Sequence, residues 1–74
     1  MGFSDEITIV RKKAFLTQTA FAKEITVSYS TVNRWENGKG KPNLTAMKLI
    51  KNFCDIHNIP YENLEAEWFN SPSK

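Results

Sequence analysis

The sequence predicts an all-α domain built from five short helices. Apolar residues recur at the three- and four-residue spacing of a helix, as in Ile7, Val10 and Ala14. Residues suited to capping a helix, such as Ser28 and Asn43, precede several of these stripes. No segment alternates apolar and polar residues over a length that would make a strand. With 74 residues, of which 41% are apolar, the chain is long enough for one core and one domain.

Capping and stop signals predict the limits of each helix. The candidate N-caps are Ser4, Thr17, Ser28 and Asn43. They predict helices over 5–14, 18–25, 29–36 and 44–55. Asn58 is placed to end the fourth helix in a left-handed conformation, and Pro60 fits the first turn of a last helix. We expect residues 1–70 to form the domain and residues 71–74 to form a flexible tail.

The apolar residues of these helices predict the core. The second and third helices and their turn contribute Phe21, Ala22, Ile25, Val27, Val32 and Trp35, and the fourth carries Leu44, Met47, Ile50, Phe53 and Cys54 on its inward side. The last helix bears Leu64, Trp68 and Phe69. Because adjacent helical residues face about 100° apart, one of the two aromatic residues should cover the core. The other is a candidate dimer contact, with plain packing as the alternative.

Positive charge is concentrated in the middle of the chain. The formal net charge is only +2, but residues 11–51 hold nine of the ten Lys and Arg and only two acidic residues, Glu24 and Glu36. Such asymmetry suits a polyanionic partner. A solvated lysine-rich face is the alternative interpretation of the charge alone.

The single cysteine, Cys54, and the single histidine, His57, exclude several functions. Two side chains fall short of the four ligands of a structural zinc site, so we expect no metal and no other cofactor. They also cannot assemble a Ser/His/Asp or Cys/His/Asn arrangement, and paired carboxylates are absent too, so we do not expect an enzyme. Because the chain has neither a secretory signal pattern nor an apolar run of about 18 residues, we expect a cytoplasmic location.

The second and third helices form a predicted helix-turn-helix. Only Thr26 and Val27 separate the second helix from the cap of the third, so the two helices must cross at a steep angle. Val32 and Trp35 then point into the core, which leaves a polar and nearly uncharged face outside. A surface kept for solubility alone would usually carry Lys and Glu pairs, whereas Ser, Asn, Tyr and Arg can bond to base edges. The third helix is therefore predicted to enter the major groove of DNA.

This segment closely resembles the Cro and phage-repressor family, also called XRE-type regulators. The residues that carry the resemblance are Leu16-Thr17-Gln18, Phe21-Ala22, Val27-Ser28, Thr31-Val32 and Arg34-Trp35-Glu36-Asn37-Gly38-Lys39. It implies a compact five-helix, lambda-repressor-like domain whose partner is a double-stranded DNA operator. The implied base contacts are Ser28, Tyr29, Ser30, Asn33 and Arg34. The implied phosphate contacts are Thr17, Gln18, Thr31, Asn37, Lys39 and Lys41. The resemblance also pairs Arg11 with Glu36 in a structural role.

The chain departs from the family pattern at two positions. Thr26 stands at the turn position where glycine is usual, so a β-branched residue must accept a left-handed conformation there or the turn must differ. Tyr29 stands where a side-chain amide is frequent, so a bidentate adenine contact is not carried over to that position.

The resulting hypothesis is a homodimeric transcriptional regulator, a repressor, that binds a palindromic operator. One recognition helix offers few contacts, and two subunits on a palindrome double them. Trp68 and Phe69 are the candidate dimer contacts. The alternative is a protein-interaction module, such as an antitoxin or accessory subunit, that holds its partner through the fifth helix.

Overall fold

Five helices make up the domain in a computed structural model that describes residues 2–70. They are α1 Phe3–Lys13, α2 Gln18–Glu24, α3 Tyr29–Glu36, α4 Leu44–His57 and α5 Glu62–Asn70. No strand occurs within the described residues, and the all-α prediction is confirmed. The predicted tail, 71–74, lies outside the described residues. No helix between residues 2 and 70 is long and apolar enough to cross a membrane.

The predicted caps of three helices are confirmed. The side chains of Thr17, Ser28 and Asn43 accept hydrogen bonds from the backbone N–H groups of Ala20, Thr31 and Ala46. Each bond satisfies one of the N–H groups that a helix leaves unpaired in its first turn. These three caps fix where the two helices of the helix-turn-helix and α4 begin.

The prediction that Ser4 caps the first helix is wrong. The helix starts at Phe3, its N-cap is Gly2, and no side chain caps it. Phe3 is buried on the same helical face as Ile7 and Val10. Burial of an aromatic ring stabilises the domain by more than a cap does, so the helix extends to place Phe3 in the core.

Two predictions around α4 and α5 are also wrong. Leu44 was expected to face inward, but 65% of it is exposed: it is the first residue of α4, and the buried side of the helix begins only at Ala46 and Met47. Pro60 precedes α5 by two residues instead of lying in its first turn. The non-helical segment between the two helices buries Ile59 and half-buries Tyr61, and α5 starts only at Glu62.

The core lies between α1, α2, α3 and α4 and is closed by Leu64 of α5. Phe21 and Phe53 pack edge to face with ring centroids 5.0 Å apart. Cys54 is fully buried beside them, and burial, with a smaller contribution from the charge of Asp55, raises the pKa of its thiol to about 11. The buried set includes Trp35 and Phe53, as predicted, and the domain measures 27 × 24 × 21 Å.

Four helices end in the same way, with one residue in the left-handed region. These residues are Phe15, Thr26, Gly38 and Asn58, with φ between 58° and 73°. After α2, the N–H groups of Thr26 and Val27 bond back to the carbonyls of Lys23 and Ala22, which is the Schellman pattern. The left-handed conformation predicted for Asn58 is confirmed, and of the two alternatives left open for Thr26 the structure has the left-handed one.

Trp68 connects α5 to the segment that precedes α4. Its indole N–H donates to the carbonyl oxygen of Pro42 at 2.7 Å, and its ring packs against the core. Phe69, the next residue, is 70% exposed. The prediction that one of these two aromatic residues covers the core is confirmed, and that residue is Trp68.

Candidate nucleic-acid interface

The turn between α2 and α3 orients α3 as a projecting helix. Thr26 adopts φ 59°, and the hydroxyl of Ser28 accepts the N–H of Thr31 at 3.2 Å, so that α3 begins at Tyr29. Val32 and Trp35 anchor α3 in the core. The opposite side of α3 therefore points away from the domain.

A continuous polar surface covers this outer side of α3. We call it the recognition face, and it consists of Ser28, Tyr29, Ser30, Asn33, Arg34 and Asn37. Asn33 is half-buried and the other five are exposed, Tyr29 by 51%. The Ser28 hydroxyl lies 2.8 Å from that of Thr31 and 3.2 Å from that of Ser30, so three hydroxyl groups cluster at the N-terminal end of the face.

Beneath the recognition face, Arg11 of α1 and Glu36 of α3 form the predicted ion pair. The guanidinium donates to both carboxylate oxygens, at 2.7 Å and 3.0 Å, and to the carbonyl of Leu16 at 2.8 Å. Both side chains are largely shielded, with 14% and 6% of their surfaces exposed. A two-point contact of this kind fixes the relative position of α1 and α3.

The surroundings of Glu36 favour its charged form. Burial alone would raise the pKa of its carboxyl, but hydrogen bonds from Arg11 and Gln18, the charge of Arg11 and a hydrogen bond from Thr8 outweigh it, so the pKa lies below the usual 4.5. The pKa of Arg11 is correspondingly raised by its hydrogen bond to Glu36, against an opposing effect of burial. The pair is ionised at neutral pH.

Three side-chain amides extend from this ion pair to the recognition face. Gln18 donates to Glu36 at 3.1 Å and accepts from Asn33 at 3.2 Å. Asn37 donates to the side-chain oxygen of Asn33 at 3.0 Å and to its backbone carbonyl at 2.9 Å. The structure thus brings together one predicted base contact and two predicted phosphate contacts in a single network.

The predicted cations beside α3 do not all lie together. The Arg34 guanidinium donates to the backbone carbonyl of Lys39 at 3.5 Å. Lys39 itself is exposed. Lys41 instead lies against α5, where its ammonium donates to the carbonyl of Trp68 at 3.1 Å and stands 5.3 Å from the indole ring. Thr17 and Thr31 sit at the starts of α2 and α3, where the former caps its helix and the latter bonds to Ser28.

The connection between Gln18 and Asn33 was not predicted from the sequence. These residues are 15 positions apart, and a hydrogen bond between them depends on the crossing of α2 and α3. The only signal in the sequence is their position within the helix-turn-helix, at the start of one helix and on the outer side of the next. Glu36 was predicted as a partner of Arg11 and not of Gln18.

The fold and this face define a helix-turn-helix protein. A family model described as helix-turn-helix, of the Cro/C1 or XRE type, matches residues 7–57. The chain belongs to this family, which comprises DNA-binding transcriptional regulators. The resemblance inferred from the sequence motifs is confirmed.

One curated relative is the HTH-type transcriptional activator BcrR of Enterococcus faecalis. The chain is 34% identical to it over 56 residues, an alignment that covers 76% of this chain and 28% of the relative. The chain therefore spans less than a third of the length of the relative it matches. No solved structure matches the chain at a significant level.

Proposed function

We propose that this domain binds double-stranded DNA sequence-specifically, with α3 in the major groove of an operator. The observation that carries the proposal is the recognition face, a polar surface on a short helix whose other side is anchored by Val32 and Trp35. Base contacts are assigned to Ser28, Tyr29, Ser30, Asn33 and Arg34. Phosphate contacts are assigned to Thr17, Gln18, Thr31, Asn37, Lys39 and Lys41.

The chemistry of the recognition face suits base edges. Its hydroxyl and amide groups both donate and accept, and Arg34 adds a guanidinium that can bond to two acceptors of one guanine. Tyr29 offers a ring for contact with a thymine methyl or a phosphate. Such a face distinguishes base pairs by their pattern of donors and acceptors, which the major groove displays uniquely for each pair.

Selection of bound sites from random duplex DNA, followed by substitution of the recognition face, tests this proposal. Asn33→Ala together with Arg34→Ala should abolish operator binding while the circular dichroism spectrum and melting temperature remain those of the folded domain. The matched control is Asn52→Ala, which removes an exposed amide from α4. Unchanged affinity of the double variant for the selected operator would refute the assigned face.

A second copy of the chain is the proposed partner on a palindromic operator. Leu44 and Phe69, 65% and 70% exposed, flank a cavity of about 120 Å³ whose floor includes Met47, Tyr61 and Trp68. We call this surface the α5 patch. Its rim carries Lys48 and Glu65, opposite charges that a two-fold related copy can pair. Docking of two patches would also cover apolar side chains that are exposed in the monomer.

Sedimentation equilibrium of Phe69→Asp tests the dimer. A charge on the apolar surface of the α5 patch should shift the protein to monomer and weaken operator binding. Ile56→Asp is the control, because Ile56 is 78% exposed on α4 and lies outside the α5 patch. If Phe69→Asp remains as dimeric as the wild type, the dimer does not use this surface.

For the direction of regulation we propose repression, because a domain bound to an operator within a promoter occludes polymerase. The relative BcrR is an activator, but this chain spans only 28% of its length. A reporter driven by the selected operator measures the direction. Repression predicts a higher output when the protein is removed, and a lower output would establish activation.

The second candidate function is a protein-interaction module, such as an antitoxin or accessory subunit. The observation in its favour is the same α5 patch, which a different protein could cover. The two functions differ in the effect of the recognition-face variants. A module that only holds a protein partner keeps its binding to that partner after Asn33→Ala and Arg34→Ala, whereas a DNA-binding regulator loses its binding to the operator.

A further inference from the structure

The side-chain amides of Gln18, Asn33 and Asn37 form a network in which the buried ion pair sets the orientation of each amide. We infer that Gln18, held in one orientation by the charge on Glu36, is a positioning residue that presents the Asn33 amide to DNA as an adenine contact. This inference rests on the proposed function, since it needs α3 to lie in the major groove. It adds the identity of one recognised base and the residue that selects it.

The orientation follows from which groups can donate. A carboxylate can only accept hydrogen bonds, so the amide end of Gln18 that faces Glu36 must be its NH2 group. The Gln18 oxygen is then left to face Asn33, and it accepts from the Asn33 NH2 group at 3.2 Å. The Asn33 oxygen is turned the other way and accepts from Asn37 at 3.0 Å. The charge at one end thus orients each amide in the series.

The bonds inside the network leave one donor and one acceptor on Asn33. A side-chain amide has two N–H groups and two lone pairs. Gln18 takes one N–H of Asn33 and Asn37 takes one lone pair, and within residues 2–70 the Asn33 amide has no other partner. One N–H and one lone pair remain for a ligand.

Adenine is the base that matches this pair of groups. In the major groove it presents N7, an acceptor, beside N6, a donor, and an Asn amide bonds to both. Guanine presents two acceptors and satisfies only the N–H. An Asn33 amide turned by 180° would offer the same two groups in exchanged positions. Because N6 and N7 of an adenine are fixed, only one of the two orientations places the Asn33 donor opposite N7 and its acceptor opposite N6. The orientation imposed by Gln18 therefore decides whether Asn33 can bond to both.

Base preference at a single position of the operator separates this role from a phosphate contact. The operator is first selected from random duplex DNA with the wild-type protein, and Asn33→Ala then identifies the base pair whose preference depends on Asn33. Dissociation constants are measured for all four base pairs at that position. We expect the wild type to prefer adenine there by about tenfold or more, as a bidentate contact gives.

Two substitutions at Gln18 should both remove the orientation of the Asn33 amide if the inference holds. Gln18→Met keeps the length of the side chain but removes the amide, so the preference for adenine should fall to within about threefold of the other bases. Gln18→Glu places a carboxylate where Gln18 donates to Glu36, so repulsion between the two carboxylates removes the orientation together with the donor. Its affinity should fall for all four duplexes, because a negative charge is added near DNA, and the preference for adenine should be lost as in Gln18→Met.

A phosphate contact alone predicts a different pattern. Gln18→Met would then weaken binding to all four duplexes by the same factor and leave the preference intact, which would overturn the inference. An Asn33-dependent position that prefers another base would overturn it as well. Asn52→Ala should leave all four constants unchanged, and thermal melting of every variant checks the fold. If the wild-type protein selects no sequence at all, the proposed function itself fails.

Discussion

Phe15 occupies the left-handed region of backbone space and gains no packing from it. Its φ is 59°, at the end of α1, and 95% of its surface is exposed. A bulky residue in this conformation places its Cβ close to a carbonyl oxygen, which costs roughly 1–2 kcal/mol. The Schellman bonds from Phe15 and Leu16 to Lys12 and Arg11 hold the chain there nonetheless.

Phe15→Gly should therefore stabilise the domain by about 1 kcal/mol, since glycine relieves the strain and the lost ring buries nothing. The free energy of unfolding in urea measures the change. Gly38→Ala is the reciprocal control: Gly38 has φ 73° and open space around an added Cβ, so only backbone strain is introduced. It should destabilise by a similar amount. A loss of stability in Phe15→Gly would show that the exposed ring has a partner in the folded state.

The carboxylate of Glu36 makes the stability of the domain sensitive to acid. Because its pKa in the folded protein is lowered below 4.5, its contribution is fully present above that pH and is lost as the pH falls through the lower folded value. The urea midpoint of the wild type should drop below about pH 4.5. Arg11→Met combined with Glu36→Leu replaces the pair by apolar side chains, and its midpoint should fall less in the same range. Parallel curves would exclude Glu36 as the group responsible.

At the scale of the helices, local capping chemistry fixes most boundaries. Thr17, Ser28 and Asn43 could be identified from the sequence because capping needs no tertiary contact. Each side chain accepts the backbone N–H of the residue three positions later in the chain. The start of α1 could not be predicted in this way. It depends on the burial of Phe3, and burial is a property of the assembled core.

Asn43→Ala tests the contribution of one cap. The Asn43 oxygen accepts the N–H of Ala46 at 2.9 Å, and its loss should destabilise the domain by about 1 kcal/mol. Asn52→Ala removes an exposed amide from the middle of the same helix and should be neutral or slightly stabilising, because alanine favours the helix. Chemical denaturation of both variants measures the difference. Equal effects would mean that the cap has no specific role.

At the scale of the whole molecule, the basic middle segment should make DNA binding steeply dependent on salt. If about five phosphates are neutralised per subunit, the binding constant falls roughly as the fourth to fifth power of salt concentration. Lys39→Ala should lower that exponent by about one and leave the base preferences unchanged. Lys23→Ala, an exposed cation on α2 outside the assigned contacts, is the control. An exponent near zero for the wild type would contradict phosphate binding by this surface.

The family resemblance implied the Arg11–Glu36 pair, and the sequence by itself determined the all-α class, the helix-turn-helix, three caps and the residues on the outer side of α3. These follow from local rules, from helical periodicity and from a motif whose residues are near one another in the chain. Only the tertiary structure decided that Leu44 is exposed, that Lys41 lies against Trp68 and that Gln18 bonds to Asn33. Each of these depends on how two helices cross, and the crossing results from packing of the whole core, which no local pattern specifies.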